Sequence, residues 1–282
     1  QIGWVTIDAL DEHWEQARID LDGAQSMKTK NVTALTLSVP AGGCEDLGLD
    51  LTEPAPITID DQELEGPRPL SDRSWTCQLH KRDGKWALGP LPDGKSRKRH
   101  GLQGPIDDAF MDSFVFVRPT GEEKRPTVDK WVRSESDRAI SEWRRQFRGE
   151  ARVKEDKAIT DADIAAGNLV LWGTPESNSV LKRIADRLPI RWEENQIVVG
   201  QQEFSADDHA LILICPNPLN SNRYVVLNSG CTYREYDYLN NARQIPKLPD
   251  WTVVDLRTAP DARAPGKIAA SDFFDEHWQL KK

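Results

Sequence analysis

The sequence predicts an α/β fold, a three-layer arrangement around a flavodoxin- or Rossmann-like mixed sheet, preceded by a smaller β-rich, sandwich-like module. Three observations carry that expectation. Residues 160–230 read as a linked series of helices and strands, and an apolar segment at residues 114–117 followed by a helical period over 128–148 extends the alternation backwards. Residues 4–90 carry only short alternating segments separated by turn residues.

In the first stretch, Thr33, Leu35, Leu37 and Val39 alternate with Ala34, Thr36 and Ser38, the period-two pattern of a strand with one buried face. Shorter strand candidates lie at residues 4–7, 18–21, 57–59 and 75–80, divided by Asp22-Gly23, residues 40–43, Gly66-Pro67 and Asp83-Gly84. We therefore expect a β-rich module over 1–92, a glycine- and proline-rich linker over 93–104, and an α/β module over 105–282.

The second module opens with the strand Phe114-Val115-Phe116-Val117, stopped by Pro119-Thr120-Gly121. Trp131, Ala139, Trp143 and Phe147 then recur at helical spacing. Thr160 and Asp163 have the spacing of a capping box, and Gly167 ends the short helix they start. Leu169-Val170-Leu171-Trp172 is a buried-type strand, after which Ser177 or Asn178 caps a helix bearing Val180, Leu181, Ile184 and Leu188 on one face. Short β pieces follow around Gly200. Residues 210–214 and 224–227 are two more buried strands, joined as an antiparallel hairpin by a long loop over 215–223. A short helix is expected at 232–239, and a last strand at 252–256 precedes a tail whose Phe273, Phe274 and Trp278 pack back onto the body.

At 282 residues the chain has room for two domains with cores of their own. Its 46 acidic against 37 basic residues, a net charge of -9, argue against a nucleic-acid partner, which needs a concentrated basic face. The basic run from Lys95 to His100 lies between proline- and glycine-rich pieces and reads as solvated linker. No apolar run reaches the roughly 18 residues of a membrane span, and the N-terminus lacks a signal-peptide pattern. The chain enters Gly3-Trp4-Val5-Thr6-Ile7 as if midway through a strand, so we expect a processed protein or a piece of a longer one. Compartment stays open, a secreted or cell-envelope location included.

Cys44, Cys77, Cys215 and Cys231 form no Cys-x-x-Cys pair, and the five histidines have no metal-binding spacing. Cys44 with Cys77 and Cys215 with Cys231 are the pairings that stay within one half of the chain, and four free thiols are equally compatible. No metal or cofactor is called for: Asp107, Asp108 and Asp112 read as loop or cap acids, and neither a Walker loop nor Gly-x-Gly-x-x-Gly is present.

Gly-x-Ser-x-Gly, which aims a nucleophile from a tight strand-to-helix turn, is also missing. Ser177 follows its strand too late to be such a nucleophile and reads as cap chemistry, and His209, after Asp207-Asp208, as a paired structural histidine. The same loop has a second reading. Loops at the carboxyl ends of strands in an open α/β sheet line its ligand crevice, so Thr174, Ser177 and Asn178, with Asn217 and Asn220, are candidates for binding a small polar ligand. Trp14, Trp75 and Trp86 are candidates for stacking on a glycan, whereas Trp131 and Trp143 belong to the helix's core stripe.

Several strings carry a family likeness: Trp4-Val5-Thr6-Ile7-Asp8 with Glu12-His13-Trp14, Asn31-Val32-Thr33-Ala34-Leu35, the run from Gly101 to Phe110, Asn168-Leu169-Val170-Leu171-Trp172-Gly173, and the run from Tyr224 to Gly230. In these the chain resembles the C-terminal region of large bacterial α/β-hydrolases of the prolyl-oligopeptidase or esterase-like kind. The resemblance implies that the nucleophile elbow and catalytic histidine lie in an upstream hydrolase domain of the same polypeptide, so that no catalytic residue transfers to this chain. A β-rich and an α/β module accessory to a serine hydrolase is then the expected function, with a stand-alone glycan- or polar-ligand-binding protein as the alternative.

Overall fold

A computed structural model of the chain describes residues 3–23, 25–92, 97–193 and 195–281. It divides into two compact units, Gln1–Lys95 and Ser96–Lys282.

The first unit contains β1 (Val5–Ala9), β2 (Arg18–Asp22), β3 (Ser26–Lys30), β4 (Ala34–Val39), β5 (Pro56–Ile59), β6 (Gln62–Glu65), β7 (Trp75–Arg82) and β8 (Lys85–Leu88). They form two four-stranded sheets, β1-β4-β7-β8 and β2-β3-β5-β6. The alternation read at residues 33–39 sets the core. Leu35, Leu37 and Val39 pair across the ladder with Leu79, Cys77 and Trp75, and all six are buried in one cluster with Met27, Ile57 and Ile59 of the other sheet. Strands β3 and β6 were not foreseen, because sequences such as Gln62-Glu63-Leu64-Glu65 present one apolar side chain each and owe their strand conformation to pairing; β8, Lys85-Trp86-Ala87-Leu88, was missed although it is largely apolar.

The second unit is built on a seven-stranded mixed sheet. Its strands are β9 (Phe114–Arg118), β10 (Val153–Glu155), β11 (Asn168–Leu171), β15 (His209–Asn217), β16 (Asn220–Leu227), β17 (Trp251–Asp255) and β18 (Lys267–Asp272), while β12 (Arg191–Trp192), β13 (Gln196–Val199) and β14 (Gln202–Ser205) make a small antiparallel sheet. Strand order in the large sheet is β10-β9-β11-β16-β15-β17-β18; the first four run parallel, and β15, β17 and β18 add antiparallel pairs. Strands β11 and β17 are buried at every position, which for β11 matches the apolar run at 169–172, whereas β17 also buries the polar Thr252 and Asp255.

Helix α1 (Pro126–Phe147) starts on a proline in its first turn and buries Val128, Trp131, Val132 and Ala139. Helix α2 (Asp161–Ala166) has the capping box read from Thr160 and Asp163, and Asp163 also pairs with Lys154 at 2.6 Å. Helix α3 (Ser179–Ile184) is capped by Asn178 rather than Ser177: the Asn178 Oδ1 accepts from the amides of Val180 and Leu181.

The Lys154 and Thr160 bonds hold the Asp163 carboxyl down at about 2. A carboxyl depressed in the folded state stabilises fully above its unfolded pKa, near 4, and loses that contribution as pH falls through about 2. Urea midpoints measured from pH 5 to 2 should therefore fall less steeply in Asp163→Asn than in the parent chain.

Several expectations are corrected or narrowed. The loop over 215–223 is mostly strand: β15 runs to Asn217 and β16 starts at Asn220, leaving only Pro218 and Leu219 in the turn. The short helix expected at 232–239 is present as a five-residue 3-10 helix, Glu235–Leu239. Strand β17 is not the last, since the exposed β18 pairs with it. The linker read at 93–104 extends too far; residues 93–96 lie outside the described set, but from Lys98 onward the chain belongs to the second unit. Leu102 is part of that unit's core, and Arg99 and Leu102 close a turn on each other.

Although Arg99 and His100 are exposed as the solvated reading of the basic run expects, Lys98 departs from it. Its side chain is fully buried, donating to Asp250 Oδ2 at 2.6 Å and to the Phe274 carbonyl at 3.0 Å, with the Trp278 ring 5.1 Å away. Asp250 accepts the Phe274 amide as well, so the pair pins the aromatic tail, whose Phe274 and Trp278 are buried as expected. Gly104, at φ +74°, passes so close that a Cβ would stand 2.2 Å from Asp250 Oδ1.

Candidate functional site

The connection from β9 through α1 leads to β10 on one side of β9, and the next, through α2, returns to β11 on its other side. The carboxyl ends of β9 and β11 thus flank the point where strand order reverses, the usual ligand crevice of an open α/β sheet. Two loops meet there, residues 119–125 and 172–178.

Their polar groups are turned on one another. The Thr174 amide donates to Ser177 Oγ at 3.0 Å, the Thr174 hydroxyl bonds the Glu123 carboxylate, and the amides of Ser177 and Asn178 both reach the Thr174 carbonyl. Besides capping α3, Asn178 donates through Nδ2 to the Trp172 carbonyl at 2.9 Å. The loops touch directly at Gly121, whose amide donates to the Ser177 carbonyl at 2.8 Å and whose missing Cβ would fall 2.8 Å from that oxygen. Above this contact Arg125 approaches Glu123 at 3.2 Å and Glu176 and Asp207 at 3.6 Å each. With Thr174, Ser177 and Asn178 all buried, the loop sequence Gly-Thr-Pro-Glu-Ser-Asn acts as turn and cap.

Asn217 and Asn220 are not brought to these three residues. The register pairs Leu171 with Leu227, so Asn220, seven residues earlier on β16, lies at the opposite end of the sheet, roughly 23 Å along the strand at its usual rise. There Asn217 Oδ1 accepts the Leu219 amide, and Asn220 Nδ2 donates to the Ile164 carbonyl. The five candidates therefore form two separate sets, each engaged in local bonding.

The carboxyl edge does contain a residue that the sequence reading missed. Asn228 ends β16 in the left-handed region, φ +52°, and is buried. Its Oδ1 accepts the Gly173 amide at 2.8 Å, and its Nδ2 donates at 3.0 Å to both the Gly173 and Leu211 carbonyls. One side chain thereby staples the ends of β11, β16 and β15. The signal was available in Asn228-Ser229-Gly230 after an apolar strand, because Asn is among the few residues that enter a left-handed turn readily.

Around that edge, charge is paired. His209 Nδ1 lies 2.7 Å from Asp208 Oδ1 and 3.0 Å from the Ser205 carbonyl, while the Ser177 hydroxyl contacts Thr174. Arg257 clasps Asp255 through two nitrogens and holds its carboxyl well below the usual carboxylate range. Asp107 goes the other way: burial raises it, although the Thr232 amide and hydroxyl both bond to it. Asp108 bonds the Tyr224 hydroxyl and Asp112 bonds Arg223, so the three acids near Gly104 serve separate partners. Among the described residues no group of three or more His, Cys, Asp or Glu side chains could hold a metal ion. All four cysteines are thiols, and burial raises each of them.

Of the three tryptophans considered for glycan stacking, Trp75 and Trp86 are core residues whose indole N–H groups donate to the Pro67 carbonyl and Asp60. Trp14 is exposed. No described helix is long and apolar enough to cross a membrane. No family model matches the chain, and neither the curated proteins nor the solved structures contain a match to it.

Proposed function

We propose that this chain is a non-catalytic accessory portion of a serine hydrolase of the prolyl-oligopeptidase kind, whose nucleophile lies in another domain of the same polypeptide. The two units would be its sandwich-like module and its three-layer, flavodoxin- or Rossmann-like module. The observation that carries the reading is Asn228. An α/β-hydrolase presents its nucleophile on a sharp turn after a central strand. Here the turn after β16 is sharp and left-handed, but the residue on it is an asparagine whose side chain is engaged in three internal bonds. The nearby hydroxyls of Thr174 and Ser177 are engaged as well, and the resemblance read from the sequence supplies the hydrolase itself.

Purified residues 1–282 should hydrolyse p-nitrophenyl esters and short proline peptides no faster than buffer, and Ser177→Ala and Ser229→Ala should leave that background unchanged. An enzyme-like rate abolished by either substitution would sink the proposal.

A further inference from the structure

We propose that residues 232–247 form a lid over the end of β16 and the flank of α1, latched by polar contacts and able to open as one piece while the mixed sheet stays folded. The segment is an Ω-loop in form. Its base is closed by the Lys247 amide donating to Thr232 Oγ1 at 2.7 Å, so its ends are neighbours and it can swing as a unit.

Its polarity is inverted. The residues it buries, Thr232, Arg234 and Asp237, are all polar, whereas Tyr236, Leu239 and Ile245 point outward at 42%, 73% and 55% exposure. Besides the Thr232 bonds to Asp107, the Arg234 Nε bond to the Asp261 carbonyl at 2.8 Å and the Tyr236 amide bond to the Ala262 carbonyl at 3.0 Å, a ladder along one face of α1, where residues three and four apart line up, holds it down. Glu135 takes both terminal nitrogens of Arg234 at 2.7 and 3.1 Å, Arg138 forks onto Glu235 at 3.0 and 3.2 Å, and the Tyr238 hydroxyl donates to Glu142 at 2.5 Å. Within the loop, Lys247 pairs with Asp237 at 3.1 Å.

Segments with few buried apolar contacts are the ones that open below the free energy of global unfolding. The strands beneath are the opposite case, since β15, β16 and β17 supply much of the apolar core. Cys231 stands at the lid's hinge, between a cleft lined by Trp143, Phe147, Tyr233 and Tyr238 and a smaller one lined by Ser229, Thr232 and Arg234. Cys215, in the middle of β15, is buried in the sheet.

Cys231 is partly exposed with the loop closed and Cys215 is not, so opening is read from the change at Cys231 with salt and with Tyr238→Phe, against Cys215 as the reference for the sheet. The test is native-state alkylation of the full chain with iodoacetamide, with peptide mass mapping of Cys231 against Cys215. Lid opening predicts modification of Cys231 on the order of a hundredfold faster than Cys215. Raising NaCl from 0.05 to 1 M, which screens partly exposed ion pairs, should speed Cys231 further, and Tyr238→Phe should add about tenfold, the ratio that about 1.4 kcal/mol carries. Cys215 should respond to neither. Equal rates at the two cysteines would mean that the loop leaves only when the unit unfolds, and a fast Cys231 indifferent to both salt and Tyr238→Phe would mean that no such latch exists; either result overturns the proposal.

Discussion

Replacing Asn228 with alanine is expected to destabilise the second unit by about 4 kcal/mol, the largest effect of any single polar truncation at the sheet's edge. Two contributions add. The Gly173 amide and the Gly173 and Leu211 carbonyls lose their partner in a buried site, at roughly 1–3 kcal/mol for each group left unsatisfied. Alanine at φ +52° adds roughly 1 kcal/mol of backbone strain that asparagine tolerates better. For a unit of this size the sum corresponds to a fall of about 8–16 °C in Tm. Asn228→Gly separates the contributions, because it relieves the strain and keeps the lost bonds; it should recover about 1 kcal/mol and no more. Equal stability of the parent and alanine chains in urea unfolding would show that the staple is not what holds the three strand ends together.

A comparable effect is expected at the other buried polar feature. Lys98→Met leaves Asp250 buried without its cation and should cost about 3–5 kcal/mol, as removal of one partner from a buried pair generally does. The double variant Lys98→Met with Asp250→Asn should regain most of that loss, since a neutral amide can still accept the Phe274 amide. The aromatic tail provides a second readout. With the pair broken, amides near Phe274 and Trp278 should exchange hydrogen faster than those of β15 and β16. A Lys98→Met chain as stable as its parent, with an unchanged tail, would mean that packing of Phe274 and Trp278 suffices alone.

What could be read from the sequence follows from how each element is stabilised. Strands β4, β9, β11 and β15 carry their own burial in their side chains, so their patterns were legible, as were the amphipathic face of α1 and the capping box of α2. Strands β3 and β6 have mostly polar side chains and β18 is exposed, and each becomes a strand by pairing with a neighbour, as β8 does in its hairpin with β7, so the cause lies outside the strand's own residues. The reading of Lys98 failed for a similar reason. A lysine in a basic, glycine-rich run is normally solvated, and the acid that makes its burial possible lies 152 residues away. At the candidate site, Thr174, Ser177 and Asn178 were correctly placed after a strand. Their grouping with Asn217 and Asn220 failed once β16 began at Asn220, which set that pair at the far end of the sheet. The ladder from α1 to Arg234, Glu235 and Tyr238 was invisible for the same reason as Lys98, each bond spanning more than ninety residues.

The most direct test of the proposed role is activity-based labelling of the protein isolated from its native source with a fluorophosphonate, followed by intact-mass and peptide analysis. An accessory portion of a serine hydrolase predicts a polypeptide well above 31.9 kDa, labelled on a serine outside the residues numbered here. A labelled serine within residues 1–282, or a native mass of 31.9 kDa with no label at all, would contradict it.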